Sequence, residues 1–261
     1  MSFISIFLFA GLFTLGLMTA LWLLSLVLKD SSIVDIFWGT GFVILNGFYF
    51  AMTPEGFLTR KWLLSALVTL WGLRLSIYIL YRNWGKGEDF RYQRWRESAQ
   101  GQWWWRSFFK VFLLQGFLLW MISTPLLAAQ YTPQTATLNW LDYSAIALWS
   151  IGFFFEAVGD FQLARFKANP DNRGKLLTSG LWRYTRHPNY FGDATQWWGF
   201  YAFSAAAGGY WTVFSPILMT FLLLRVSGVS MLEKSLKDTK PGYERYVRST
   251  SPFIPWFPNQ N

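Results

Sequence analysis

Cysteine is absent from this chain, and histidine occurs once, as His187. Disulfides, thiolate nucleophiles and thiolate metal sites are therefore excluded, and a lone imidazole without cysteine gives no structural zinc site. Charge is scarce: 14% of residues are Asp, Glu, Lys or Arg, against about 25% in an ordinary soluble domain. Acid is scarcer still, with 14 Asp and Glu against 23 Lys and Arg, a net charge of +9. Two connections, Gln130–Asp142 and the Gly208–Gly209 turn, hold no Lys or Arg at all. No Gly-x-Gly-x-x-Gly follows a strand pattern, so a Rossmann dinucleotide site is excluded. No internal repeat is visible.

What fills the chain is apolar. Hydrophobic residues reach 53%, aromatics 21%, and there are 17 Trp, as belts at membrane interfaces require. Seven runs approach the roughly 20 helical residues that cross a hydrocarbon core: Phe3–Leu28, Ile33–Met52, Trp62–Tyr81, Phe108–Ala129, Tyr143–Leu163, Tyr190–Ala207 and Trp211–Val226. The first is too long for a signal-peptide core and lacks a preceding cation, which reads as a retained span. Basic residues cluster after the third run (Arg82, Lys86, Arg91, Arg94, Arg96, Arg106), after the fifth (Arg165, Lys167, Arg173, Lys175, Arg183, Arg186) and in the tail (Lys234, Lys237, Lys240, Arg245, Arg248). Seven spans with the N-terminus outside place all three clusters in the cytoplasm, as the positive-inside rule demands. The expected fold is all-α: a single polytopic membrane domain over residues 1–261, with a cytoplasmic C-terminus. The net charge follows from those loops, of which Arg94, Arg96 and Arg106 are expected only to orient the protein and touch anionic headgroups. Nucleic-acid binding is not expected, because the cations are spread along the membrane edge and no recognition fold is visible.

Polar groups inside such a chain mark candidate sites. Glu156 and Asp160 stand four residues apart on one face of the fifth run, with Lys167 two turns on. They form either an interfacial pairing with Lys167 or Arg165 or the polar wall of a cavity. The sixth run repeats the spacing with Asn189 and Asp193, and Gln196 lies one turn beyond. Between the two lies Gly180–Asp193, GLWRYTRHPNYFGD, where Pro188 suits the first turn of a helix beginning at Asn189–Tyr190. A helix start beside Arg173, Arg183 and Arg186 offers amide donors and guanidinium forks to an anion such as a phosphate. In the front half, Asp35 sits just inside the second run near Trp38, as a helix-end cap or a proton-handling group. Arg74 lies within the third run and is expected to pair with an acid, Asp35 being the candidate by depth. Tyr78 follows one turn on, and Asn83, Gly85, Lys86 and Gly87 read as a flexible polar loop.

NWGKGEDFRYQ (residues 83–93), the Glu156–Asp160 pair, GLWRYTRHPNYFGD and the tail LEKSLKDTKPGYERYVRSTSPFIPWFP together resemble the steroid 5-alpha-reductase-like family, in particular its bacterial membrane branch. The resemblance spans nearly the whole chain. It implies a seven-helix enzyme, multi-pass in a bacterial inner membrane, that uses NADPH to reduce a carbon–carbon double bond conjugated to a ketone in a steroid or other lipid. Residues 1–107 would carry the substrate-side helices and first basic loop, and 108–261 the cofactor side. Carried over by position, the cofactor site draws on Asn83, Lys86, Glu156, Asp160, Lys167, Arg173, Tyr184, Arg186, His187, Asn189 and Asp193, closed by Glu233, Tyr243, Tyr246 and Arg248. The acid and tyrosine that hold the ketone are assigned to Asp35 and Tyr78, with Trp38, Trp71 and Arg74 on the substrate side. Asp35 is one methylene shorter than the glutamate of the family. No metal is implied, and the oligomeric state is open, a monomer included.

The C-terminal motif RHPNYFGD with the downstream PGYERY is shared with isoprenylcysteine and phospholipid methyltransferases. An S-adenosylmethionine-dependent methyltransferase of a membrane lipid is therefore the alternative reading, and a non-enzymatic lipid-binding or assembly factor a third.

Overall fold

A computed structural model describes residues 1–133, 137–226, 229, 233 and 240–259; Lys234 and Lys237 of the basic tail lie outside the described residues. All seven apolar runs are helical, the conformation in which a segment meets its backbone hydrogen bonds internally, as a span in lipid requires. We label the helices α1 (Phe3–Leu28), α2 (Ile33–Met52), α3 (Leu58–Asn83), α4 (Phe90–Ser98), α5 (Trp103–Tyr131), α6 (Trp140–Ala168), α7 (Pro188–Ala206), α8 (Tyr210–Val226) and α9 (Tyr243–Ser249). Among the described residues, α1, α2, α3, α5 and α6 are long and apolar enough to cross a membrane, while α8 is a shorter apolar helix. Helix α7 has 19 residues, but Asn189, Asp193 and Gln196 interrupt its apolar surface. No strand occurs among the described residues, only an isolated bridge between Thr185 and Ser251.

The chain divides into two compact units. Unit 1 comprises Met1–Asn139 with Phe203–Thr212. Its centre is the α2–α3 pair, brought together by two glycines: a Cβ on Gly39 would lie 2.2 Å from the Gly72 carbonyl oxygen. Polar bridges tie α2 to its neighbours, from Tyr49 Oη to Ser123 Oγ at 2.8 Å and from Asn46 Nδ2 to Ser65 Oγ at 2.9 Å. Lys61 is buried, and its ammonium donates to the carbonyls of Phe50 and Thr53 at the end of α2, a cation satisfying terminal carbonyls. Helix α5 is not regular: residues Phe108–Leu113 form a π-helical turn, and Pro125 breaks the helix near Ser123. Ile4, Leu8 and Leu12 of α1 are exposed, as expected of a surface turned to lipid.

Unit 2 comprises Trp140–Ala202 with Val213–Asn261. Here α6 and α7 approach along a seam of glycines. A Cβ on Gly192 would sit 2.4 Å from Glu156 N, and one on Gly152 would sit 2.6 Å from the Gly192 carbonyl oxygen. The tail laces back over the α6–α7 connection: Arg186 N donates to Ser251 O at 2.9 Å, and Trp256 N to Tyr184 O at 2.9 Å. Thr185 Oγ1 donates to Phe253 O at 2.8 Å.

Candidate functional site

In unit 1 the polar centre is Asp35, in the first turn of α2 where a carboxylate also meets the positive end of the helix. Its Oδ2 accepts from Arg91 Nη2 at 2.7 Å; its Oδ1 accepts from Tyr92 Oη at 2.7 Å and from Gln115 Nε2 at 3.3 Å. Gln115 also donates to Tyr92 Oη at 3.3 Å. Asp35 thus takes Arg91 as its ion-pair partner, not the expected Arg74. The α2–α3 register explains this: Thr40 bonds to Ser76 Oγ at 2.9 Å, so Asp35 lies level with residues beyond Ser76. Arg91 and Tyr92 come from α4, which follows the polar loop of Asn83, Gly85, Lys86 and Gly87. Helix α4 is nucleated by Asp89, whose side chain accepts from Arg91 N at 3.0 Å. Glu88 clamps it: Arg96 donates to both its oxygens, at 2.8 and 2.9 Å, and Ser31 N donates at 2.7 Å. Burial opposes ionisation of Glu88, yet Arg96 and Ser31 together hold its carboxyl below the usual range. Burial first, and then the Asp35 carboxylate, push the Tyr92 phenol well above its usual value, so it stays protonated and remains a donor.

One face of α3 carries a groove of about 880 Å³. It is lined by Trp62, Ser65, Thr69, Arg74, Tyr78 and Tyr81 among apolar neighbours. Arg74 and Tyr78 thus share an apolar surface, as their spacing implied. Trp71 does not reach it: it is fully buried against Phe42, ring centroids 5.7 Å apart. Trp38 also meets Phe42 edge-on, ring centroids 5.3 Å apart. Asn83 ends α3 and Lys86 follows in the turn beyond it, with the Lys86 ammonium turned back to the Arg82 carbonyl.

Unit 2 gathers most of the other candidates. Between α6 and α7 runs a ladder of polar pairs, buried but for the half-buried Asn189: Gln196 Nε2 donates to Glu156 Oε2 at 2.6 Å, and Asn189 Nδ2 to Asp160 Oδ1 at 3.0 Å. Asp193 is buried one turn from each α7 member. The glycine seam makes the ladder possible, because the short carboxamides reach across only where backbones nearly touch. At the end of the ladder stand Arg186, His187 and Glu233. Arg186 Nη2 lies 2.7 Å from Glu233 Oε1, and His187 Nε2 lies 3.3 Å from the same oxygen. Arg186 Nη1 donates to the carbonyls of Val247 and Thr250 at 3.0 and 2.7 Å. Its guanidinium is therefore committed to the tail, unlike the phosphate fork expected of it. His187 stacks on Tyr190 at 5.7 Å and 7°. The His187 hydrogen bond and the Arg186 pair outweigh burial and hold the Glu233 carboxyl below its usual value.

Tyr243 and Tyr246 are buried under this latch. Burial, then the Glu233 charge, pushes the Tyr243 phenol up to about 12. Tyr246 Oη donates to the Trp182 carbonyl. Lys167, Arg173, Tyr184 and Arg248 are exposed. The functional groups that sequence reasoning passed over are Arg91, Tyr92 and Gln115. The first two lie within NWGKGEDFRYQ, where only Asn83 and Lys86 carried an expected role; Gln115 had no signal beyond being a polar residue in an apolar run.

Comparison with known proteins assigns the chain to a family. A family model described as "Protein of unknown function (DUF1295)" matches residues 21–250, and the chain belongs to that family. An uncharacterized protein of Schizosaccharomyces pombe is 26% identical over 272 residues, covering 93% of this chain and 77% of the relative. No solved structure matches the chain.

Proposed function

We propose that the protein is an NADPH-dependent membrane reductase acting on a carbon–carbon double bond conjugated to a ketone in a lipophilic substrate, a steroid or another lipid, in a seven-span arrangement with the N-terminus outside. The observation that carries this reading is the buried ladder of unit 2. Glu156, Asp160, Asn189, His187 and Glu233, which the reductase resemblance assigns to the cofactor, converge there through hydrogen bonds. Polar pairs at that depth cost too much to serve packing alone. The donor set fits a dinucleotide: carboxylates suit ribose hydroxyls, and the buried Gln196 Oε1, without a hydrogen-bond partner among the described residues, suits a carboxamide N–H. The exposed Lys167, Arg173 and Arg248 suit a 2′-phosphate.

When bound, NADPH supplies a hydride to the β carbon of the enone. The chain must then hold the oxygen on which enolate charge grows. Unit 1 offers Tyr78 and Arg74 on the α3 groove and the Asp35–Tyr92 pair. In that pair the protonated phenol is the donor, and Asp35, itself bonded to Arg91, orients it. The apolar groove suits a substrate entering from lipid.

The test is ligand-induced stabilisation of the detergent-purified protein by NADPH, NADH or S-adenosylmethionine. A ligand at a hundred times its dissociation constant adds about 2.7 kcal/mol. The reading requires a rise in Tm with NADPH, lost in Asn189→Ala, and oxidation of NADPH when enones are added. A rise with S-adenosylmethionine alone would replace it with methyl transfer.

A further inference from the structure

A second cleft, of about 540 Å³, opens at the end of unit 2 between the α6–α7 connection and the tail. Its polar lining is Thr178, Ser179, Arg183, Arg245, Ser249 and Thr250, and no carboxylate lines it. Arg183 and Arg245 are exposed and form no ion pair among the described residues. This separates them from Arg186, whose charge is taken up by Glu233. The walls are preformed. The Tyr246–Trp182 hydrogen bond joins them, and Gly180 and Gly242 turn the chain at φ +62° and +78°, which other residues rarely adopt. Two guanidinium forks with four hydroxyls and no acid form a receptor for a multiply oxygenated anion.

The tail that supplies Pro258 to this cleft also displays Ile254, Trp256 and Phe257, which are 65%, 70% and 77% exposed. An apolar, tryptophan-bearing rim beside unpaired arginines is the composition of a membrane–water interface, where indole rings settle and basic residues meet anionic lipid. The volume is that of a small-molecule site, enough for a headgroup whose acyl chains lie outside. We infer that this cleft binds the phosphate-bearing headgroup of an anionic phospholipid and seats the tail on the membrane surface. The inference does not depend on the reductase reading: none of the ladder residues lines the cleft, and of the residues assigned to the cofactor Tyr246 alone does so.

The experiment is native mass spectrometry of the intact protein released from detergent containing phosphatidylglycerol or phosphatidylcholine. The wild type is compared with Arg183→Gln/Arg245→Gln and with the equally charged control Arg94→Gln/Arg106→Gln in unit 1. Phosphatidylglycerol should be retained over phosphatidylcholine. The cleft double variant should lose about tenfold or more in apparent affinity, as removal of two charge-assisted contacts implies, and the control variant should not. Arg183→Lys/Arg245→Lys should keep part of the retention. Its melting temperature, measured with that of the Gln pair, separates lost binding from lost folding. Equal loss in both Gln pairs would overturn the inference, leaving only diffuse attraction. Saturation by inorganic phosphate with no preference for phosphatidylglycerol would assign the site to a free phosphate and overturn the lipid. Displacement of the lipid by NADPH, with loss of NADPH binding in the cleft variant, would assign it to the nucleotide.

Discussion

Asp35 shows how one carboxylate can be shared without being consumed. Arg91 pairs with one of its oxygens, Tyr92 donates to the other and Gln115 bridges Asp35 and Tyr92. The Arg91 and Asp35 side chains are 29% and 19% exposed, so the pair lies between a surface and a buried ion pair. Arg91→Met should destabilise the protein by about 1–3 kcal/mol through the uncompensated carboxylate, read by thermal unfolding in detergent. Under the proposed chemistry, Tyr92→Phe should leave the cofactor-induced rise in Tm intact while lowering kcat, because only the enolate oxygen would miss its donor; an unchanged kcat would return that role to Tyr78. Glu233 gives a pH dependence. Its folded pKa is depressed, so its stabilisation is complete above the ordinary carboxyl value of about 4.3 and is lost as pH falls through the lower folded value. Acid should therefore loosen the tail, visible as earlier proteolytic cleavage around residues 250–258, and Glu233→Gln should show the loosened tail already at neutral pH. Sequence reasoning singled out Asp35 because a lone acid in an apolar run is conspicuous. It missed Arg91 because 56 residues of chain separate the two, and spacing along a loop carries no distance.

At the level of elements, glycine seams decide which polar groups can meet. Gly192→Ala would put a Cβ 2.4 Å from Glu156 N and 2.5 Å from the Gly152 carbonyl oxygen. Backbone cannot yield as a side-chain tip does, so α6 and α7 must part, at a cost of about 1–3 kcal/mol or more. The Glu156–Gln196 and Asp160–Asn189 bonds should lengthen with them, and NADPH stabilisation should disappear. Gly16→Ala meets nothing within 4 Å and should be neutral or slightly stabilising in the same assay. The long helices were legible because apolar length alone specifies them, and Pro188 does begin α7, one residue ahead of the Asn189–Tyr190 expected as its start. Helix α4 was not legible. It has nine residues and no apolar stripe; the Asp89 cap and two ion-paired arginines hold it, and such contacts leave no periodicity to read.

For the molecule as a whole, loop charge supports an orientation that the absence of cysteine makes easy to test. Single Arg94→Cys and Lys175→Cys variants should react with an impermeant thiol reagent only from the cytoplasmic side, and Glu55→Cys only from the opposite side. All three positions are exposed, and no native thiol adds background. The Ser31–Glu88 bond already sets the short α1–α2 connection beside the basic segment after α3, as an odd number of crossings between them and the Glu55 turn requires. The lacing of the tail has a consequence for biosynthesis. Arg186 emerges from the ribosome long before Val247, Thr250 and Ser251, the residues that finally engage it. Until then the α6–α7 connection is inserted at the membrane edge with its guanidinium waiting. A polypeptide interrupted before residue 233 would keep its early spans yet lack both Glu233 and the tail carbonyls that engage that cation, an incompleteness that quality-control proteases can recognise.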